Sequence, residues 1–537
     1  MLVPPIRAHG PIRAYGPIRA HRSIRAYRWL LLIALAIVPQ VAVAQKLPSV
    51  DKVVDKYLKA VGGKKATRAV TNATYEWTIH FNDQPIGTAR TQRKAPASER
   101  WELTFGNGQI VSATNARSAW EIGLDNKLRT LTALEAATAK LRASLDSSRL
   151  IDFKKANILA RVVSLGDLGS EPAYIVEFST RSGARAQYYF SVKTGLITKI
   201  TSDTKKARIV FEDYRRNSTA SAANAETQIL EPQRLRMTLD GSGELTLILK
   251  SVTYNTTIDD GIFDPPATTE KLDLAELWRA VNRNQDEIDK RVTEYAFTQK
   301  ETDKEISNKG ELKKQTVKVY EVYPLPNREP VKKLISENGA ALSSERAAKE
   351  DRRVQEEFEK AERDREKDEK RMAQRRAERE KKEKEGTEIS PFLKVCEFVS
   401  PRREQWEGRE TIVFDFRPKP GFKAQSREES LIAKLVGVVW IDPVDKQIIR
   451  LEARLAEGFK IGGGLVASLK PGAALVIEQT RLTQGIWLPR FAQINLSMKV
   501  LLFGGGDYNQ TIEWSDYKHF SGDVKDYKVN VTPTDKP

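Results

Sequence analysis

Between Leu47 and Gly63 the apolar residues return every three or four positions, at Val53, Val54, Tyr57, Leu58 and Val61. That spacing predicts an amphipathic helix, which Gly62 and Gly63 end. The pattern then changes to alternation. ATYEWTIHF and ERWELTF alternate apolar with polar residues, and GQIVSAT and SAWEIGL follow as further short strands. A period of two places Tyr75, Trp77 and Ile79 on one face and Glu76 and Thr78 on the other. Leu131 to Leu145 returns to helical spacing. After it PAYIVEFS, AQYYFSV, LITKITS, ARIVFEDY, QRLRMTL and ELTLILKSVTY read as consecutive strands joined by short turns. The first half is therefore a helix, a meander, a covering helix and a longer meander.

The second half repeats the plan. Leu274 to Val292 is helical, TEYAFTQK and QTVKVYEVY are strands, a helical stretch follows, and six more strand-like runs reach Phe520. AYIVEFS corresponds to TIVFDFR. YYFSVKTGLITKIT corresponds to VVWIDPVDKQIIRLE, and LEPQRLRMTL to WLPRFAQINL. Long strands in sequence, with few helices between them, imply antiparallel sheet. DPPATTEKL separates the halves and reads as a linker over 267–272, between a first domain at 45–266 and a second at 273–537. Inside the second, the segment 343–386 is about three-quarters charged with the signs nearly balanced. Glu-to-Lys/Arg pairs three or four apart support an exposed helix there. Val354, Phe358 and Ala361 give it one short apolar seam. The segment reads as a solvated helical arm or as an arm that binds an envelope protein.

The start of the chain is of another kind. PIRAHG, PIRAYG, PIRAHR and SIRAYR repeat one arginine-bearing phrase, and no acid precedes Asp51. The apolar run from Trp29 to Val38 is about half the length of a bilayer span. Ala42-Val43-Ala44 then offers small residues at a cleavage site. Basic stretch, short apolar stretch and A-x-A site describe a secretory signal over 1–44, cut near Ala44, and predict a periplasmic protein without a transmembrane anchor. The repeat reads as an extended basic region or as a start site set too far upstream. Gln45 in place of Cys argues against a lipid-anchored lipoprotein.

Charge and composition narrow the classes. The net charge is +17, and six arginines precede Ala44, so the rest carries about +11. That is modest for its length, and export makes nucleic acid an improbable partner. Cys396 is the only cysteine, so no internal disulfide forms. His80 and His519 are the two histidines beyond the leader, one in each half. No Cys/His spacing suits a metal, and one histidine per half supports no Ser-His-Asp set. The glycines of IGGGLV and FGGGDY lack the strand-to-helix context and the lysine of a phosphate loop. No catalytic residue, metal or cofactor is expected. The aromatic residues are more telling. Tyr75, Trp77, Trp101 and Trp120 lie in the first meander, and Trp440, Trp487 and Trp514 in the second. On a curved sheet wrapped over a helix they form core or line an apolar hollow. Tyr75, Trp77, Ile79, Trp101 and Trp120 are the candidate cavity residues.

Several phrases resemble the outer-membrane lipoprotein-sorting (LolA-like) proteins. VVDKYLKAVGG with VTNATYEWTI is similar to that family's opening, and SVTYNTTIDDGIFDPP to its closing strand. LVGVVWIDPVDKQIIRLEARL and GIWLPRFAQINLSM resemble its later strands. The resemblance implies an α+β fold of two tandem incomplete antiparallel β-barrels of LolA/LolB type, each covered by helices. It also implies a lipid or lipoprotein acyl chain as cargo. A buried methylene contributes about 0.8 kcal/mol, so a long acyl chain contributes roughly 10 kcal/mol. The expected function is a periplasmic, non-catalytic protein that binds or shuttles a hydrophobic envelope ligand. The alternative is a structural, protein-binding or glycan-binding module of the envelope that carries no lipid.

Overall fold

The computed structural model describes residues 47–167, 171–202, 208–217, 229–238, 243–270, 272–325, 329–364, 370, 374, 391–461, 467–482, 485–500 and 504–519. The expected signal segment 1–44 and most of the charged stretch beyond Arg363 lie outside the described residues. Helix α1 (Val50–Ala60) starts where the Ser49 hydroxyl accepts the Lys52 amide at 3.4 Å. Val53, Val54 and Leu58 make its buried face, and the Gly63 amide closes its end on the Leu58 carbonyl at 2.7 Å. Helix α2 (Lys64–Ala69) follows.

The first sheet then begins. β1 (Asn72–Phe81), β2 (Gln84–Lys94), β3 (Ser98–Phe105), β4 (Gly108–Thr114), β5 (Ala119–Ile122) and β6 (Leu128–Thr130) walk out to one edge. Helix α3 (Ala133–Ser147) crosses the sheet, touching β2, β3, β4, β5 and β9. β7 (Leu159–Asp167), β8 (Pro172–Ser179), β9 (Arg185–Ser191), β10 (Ile197–Ser202), β11 (Arg208–Asn217), β12 (Ile229–Thr238) and β13 (Glu244–Tyr254) walk back from the other edge. β13 ends beside β1, with Ala73 opposite Tyr254 and His80 opposite Thr246. Every pair is antiparallel, as the strand pattern predicts. β6 and β7, the two edges, do not pair, so the sheet stays open.

A second sheet has the same order of events. Helix α4 (Leu274–Arg291) precedes β14 (Tyr295–Ile306), β15 (Leu312–Tyr323), β16 (Val331–Glu337) and β17 (Ala340–Ala341). Helix α5 (Ser344–Arg363) opens the charged segment, and its Val354 and Phe358 pack on Leu325, Val331 and Tyr323. The expected apolar seam of the arm is thus spent on the sheet. Short helices α6 (Pro391–Val395) and α7 (Arg427–Ile432) flank β18 (Cys396–Trp406) and β19 (Arg409–Pro418). β20 (Leu435–Asp442), β21 (Gln447–Leu455), β22 (Phe459–Ile461), β23 (Ala467–Leu469), β24 (Ala474–Arg481), β25 (Trp487–Val500) and β26 (Gly504–His519) complete it. Its last strand, β26, again pairs with its first, β14.

From Pro48 onward the chain forms one compact unit, and the two sheets meet across a buried polar junction. Arg402 on β18, 1 % exposed, donates to the Thr130 hydroxyl on β6 at 2.7 Å and pairs with Glu404 at 2.8 Å and Asp415 at 3.1 Å. Asp415, on β19 and fully buried, also accepts from the Ser118 hydroxyl of the first sheet at 2.7 Å and faces Arg117 at 3.4 Å. Glu404 accepts the Thr130 amide at 2.8 Å, and Arg454 donates to the Ala116 carbonyl at 2.8 Å. The stretch expected as a linker takes part as well: the Thr268 amide donates to the Pro401 carbonyl at 2.6 Å, and Glu270 pairs with Arg403. Lys140 of α3 stands at this junction and donates to the Arg117 carbonyl at 2.8 Å. Burial and then the neighbouring Arg454 guanidinium push its ammonium down to about 8, although its residue surface is only half-buried.

Removing one partner from a buried ion pair costs about 3–5 kcal/mol, so these charges tie the sheets together. Urea unfolding of the full chain is expected to show one transition by both fluorescence and circular dichroism, and Arg402→Ala to lower its midpoint. Two resolved transitions, or separate folding of 45–266 and 273–537 with undiminished stability, would instead show independent domains.

Lys140 gives a second prediction. Its folded value lies below its unfolded value of 10.5, so between about 8 and 10.5 the unfolded chain binds more protons and stability rises with pH. The stability contribution is present above 10.5 and is lost as pH falls through 8. Lys140→Met is expected to abolish that rise in urea titrations compared with the parent. Parallel pH curves for the two proteins would place Lys140 in water.

Candidate functional site

The pairing of β1 with β13 joins the two meanders of the first sheet, and a hollow lies beneath that join. Its free volume is about 70 Å³. Tyr75 and Trp77 enter it from β1, Trp101 from β3, Phe211 from β11 and Leu235 from β12, while Tyr57 of α1 and Leu145 of α3 come from the covering helices. The register explains the wall. Tyr75 stands opposite Thr91, which stands opposite Trp101, so the three share one face. Tyr75 and Trp77 stack with ring centres 5.9 Å apart, and Trp77 Nε1 donates to the Thr91 hydroxyl at 3.1 Å.

Two salt-bridged clusters floor the hollow. Arg149, just past the end of α3, donates to Glu231 on β12 at 2.8 Å and to the Tyr75 hydroxyl at 2.8 Å. Glu231 also accepts from Tyr254 at 2.9 Å and from Tyr75 at 3.1 Å. In the second cluster Arg93 pairs with Glu99 at 2.8 Å and faces Asp146 at 3.7 Å, and Tyr188 donates to Asp146 at 2.7 Å. Burial and the neighbouring Glu231 charge push the Tyr75 phenol up to about 12 despite the nearby arginines. Burial alone would lower the Arg149 guanidinium, but Glu231 and the tyrosines around it outweigh that and hold it well above its ordinary range. Burial would raise Glu99, yet Arg93 and Arg142 hold it below the usual carboxylate value. Asp146, farther from Arg93, is raised by its burial.

The expected cavity residues divide. Tyr75, Trp77 and Trp101 form the wall. Ile79 shares their face, opposite Gly87 and Leu247, and packs in the same apolar cluster without lining the hollow. Trp120 is elsewhere. It stands opposite Ala113, which stands opposite Arg100, and this row lies on the other face of the sheet from Trp101. There its Nε1 donates to the Phe263 carbonyl at 3.0 Å, and the closing turn 260–263 covers it. The period of two cannot be carried across the turns between strands, so sequence alone could not assign Trp120 a face. Arg149, Glu231 and Arg93 gave no sequence signal, because charges on strands and in loops are usually solvated. The hollow thus combines apolar walls with four ionic side chains, Arg93, Asp146, Arg149 and Glu231.

The second sheet has a polar face of its own. Arg402, Asp415, Arg450, Glu452 and Glu478 line it as ion pairs, with Trp440 and Trp487 in solid core and Trp514 partly buried near Tyr295 and Tyr517. His80 Nδ1 lies 3.3 Å from the Asp83 carbonyl, and His519 packs against the Tyr295 ring. Among the described residues no group of three or more His, Cys, Asp or Glu is placed to hold a metal ion. No described helix is long and apolar enough to cross a membrane.

The floor makes a stability prediction. Glu231→Ala leaves Arg149 buried without its partner and is expected to cost about 3–5 kcal/mol. Trp77→Ala is expected to cost a similar amount, about 3–5 kcal/mol, through the cavity it leaves. Urea denaturation measures both. A loss under about 1 kcal/mol for Glu231→Ala would mean the cluster is open to water.

No family model and no curated protein matches the chain. Among solved structures, a DUF1329 family protein from Desulfovibrio piger is 11 % identical with a TM-score of 0.27, covering 40 % of this chain and 97 % of its own. A LolA superfamily protein from Nitrosomonas europaea is 12 % identical with a TM-score of 0.27, covering 41 % of this chain and 99 % of its own. A chain of the Pseudomonas aeruginosa MucA/MucB complex is 7 % identical with a TM-score of 0.17, covering 86 % of this chain and 94 % of its own. The second of these belongs to the superfamily that the sequence phrases resemble, and at such TM-scores the likeness carries neither residues nor activity across to this chain.

Proposed function

We propose that this protein is an exported, non-catalytic binding module of the cell envelope. It works in the periplasm and receives part of a hydrophobic or amphiphilic ligand in the hollow beneath the join of β1 and β13. The basic leader with its short apolar run supports export. The observation that carries the binding reading is the hollow itself: aromatic walls from Tyr75, Trp77 and Trp101, roofed by Tyr57 and Leu145. Apolar walls with a few convergent polar groups are the usual make-up of a small-molecule site.

One observation favours the second reading, an envelope interaction module that carries no lipid. The hollow's volume of about 70 Å³ is room for a few waters. Pockets for drug-sized ligands run from about 300 Å³ upward. A whole acyl chain therefore needs α1 or the stretch after α3 to move off the sheet, whereas a ligand's end group needs little movement.

Native mass spectrometry of protein purified from the periplasm separates the readings. Bound lipid-sized mass, lost on denaturation and diminished by Trp77→Arg in a variant still folded by circular dichroism, is the expected result. Bare protein that takes up no amphiphile added in excess would leave the interaction module.

A further inference from the structure

The charges that floor the hollow bear on the kind of ligand head it takes. Four ionic side chains reach its wall: Arg93, Arg149, Asp146 and Glu231. They are two cations and two anions, and each lies within one of the two clusters. Arg149 is engaged by Glu231, and Arg93 by Glu99 and Asp146. The next shell keeps the balance, since Arg142 lies 3.9 Å from Asp146 and Glu99 takes Arg93 at 2.8 Å. A charged group entering this space finds every counter-ion already held. It loses its water and gains no partner, and that loss is several kcal/mol per ion. It can take a partner only by stripping one from the ion that holds it.

Uncharged polar groups meet a different wall. The Thr91 hydroxyl accepts from Trp77 Nε1 and keeps its own proton to donate, and Tyr57 of α1 lines the same hollow. Burial drives the phenol well above its ordinary range, so it stays a neutral hydroxyl. Trp77, Trp101, Phe211 and Leu235 supply apolar surface beside these groups.

We infer that the hollow selects the neutral polar head of an amphiphile, a hydroxyl or ester-linked group, and rejects carboxylate and ammonium heads alike. The inference rests on the reading of the hollow as a binding site. The space of about 70 Å³ suits a small head, and the chain follows as α1 or the stretch after α3 moves off the sheet.

The test uses the full-length mature protein and soluble eight-carbon amphiphiles that differ only in their heads: octanol, octanoylglycerol, octanoate and octylammonium. Affinities are read by isothermal titration at pH 7, below each compound's aggregation threshold. Octanol and octanoylglycerol are expected to bind roughly tenfold or more tighter than either ion. Glu231→Gln, which makes the site cationic, is expected to raise octanoate affinity and lower that of octylammonium, with folding checked by circular dichroism. If that variant does not fold, the parent series decides alone. Octanoate or octylammonium binding the parent as tightly as the neutral pair would overturn the head-group inference while the binding reading stands. Binding of none of the four would sink both. Binding of the neutral pair that Leu235→Arg leaves unchanged would place the site outside this hollow and overturn the inference.

Discussion

The architecture depends on one pairing, that of the first strand of each sheet with its last. In the first sheet β1 lies against β13 from Ala73 to His80, with a register shift between Glu76 and Trp77. Two meanders that would each end in an open edge become one sheet. For that to happen the chain must leave β6 at one edge and enter β7 at the other, and α3 is the element that makes the crossing. Its Leu141 and Leu145 cover the inner face as they pass, together with Val53, Val54 and Leu58 of α1. The join also brings Tyr75 of β1, Tyr254 of β13 and Glu231 of β12 within reach of Arg149 at the end of the crossing helix. The polar floor of the hollow follows from the pairing.

Burying that floor is costly unless every charge has its partner, and the contacts around it supply them. Glu231 receives three donors, and Arg93 lies between two acids. Such a cluster fixes how α3 and the sheet meet, because a displaced helix would leave a bare charge in a low-dielectric space. The same device recurs where the sheets meet. Arg402, Asp415 and Glu404 of the second sheet find Thr130, Ser118 and Arg117 in the first. The two sheets thus share one electrostatic solution even though each closes its own backbone pairing.

This sharing changes the meaning of the repeated layout. Two copies of helix, meander, helix, meander suggest two modules on a string. Here the second copy spends its polar face on the first, and its charged helix α5 lays Val354 and Phe358 on β15 and β16. The hollow belongs to the first copy, and the junction holds that copy to its neighbour through β6, the turn at Ala116 and α3.

Much of this was written in the sequence, and the division is a physical one. Periodicity is local, so the helical repeat at Val53, Val54 and Leu58 and the alternation through Tyr75, Trp77 and Ile79 could be read directly, as could the antiparallel strands and the helix between meanders. The shared face of Tyr75 and Trp77 follows from a period of two within one strand. Register between distant strands is not local. Only the folded sheet set Trp101 across Thr91 from Tyr75 and turned Trp120 to the opposite side. Long-range charge pairing was equally hidden: Arg149 and Glu231 are 82 residues apart, and Arg402 and Thr130 are 272 apart. An arginine on a strand looks solvated in sequence because solvent is its usual partner, and only the tertiary structure decides that a glutamate takes the solvent's place.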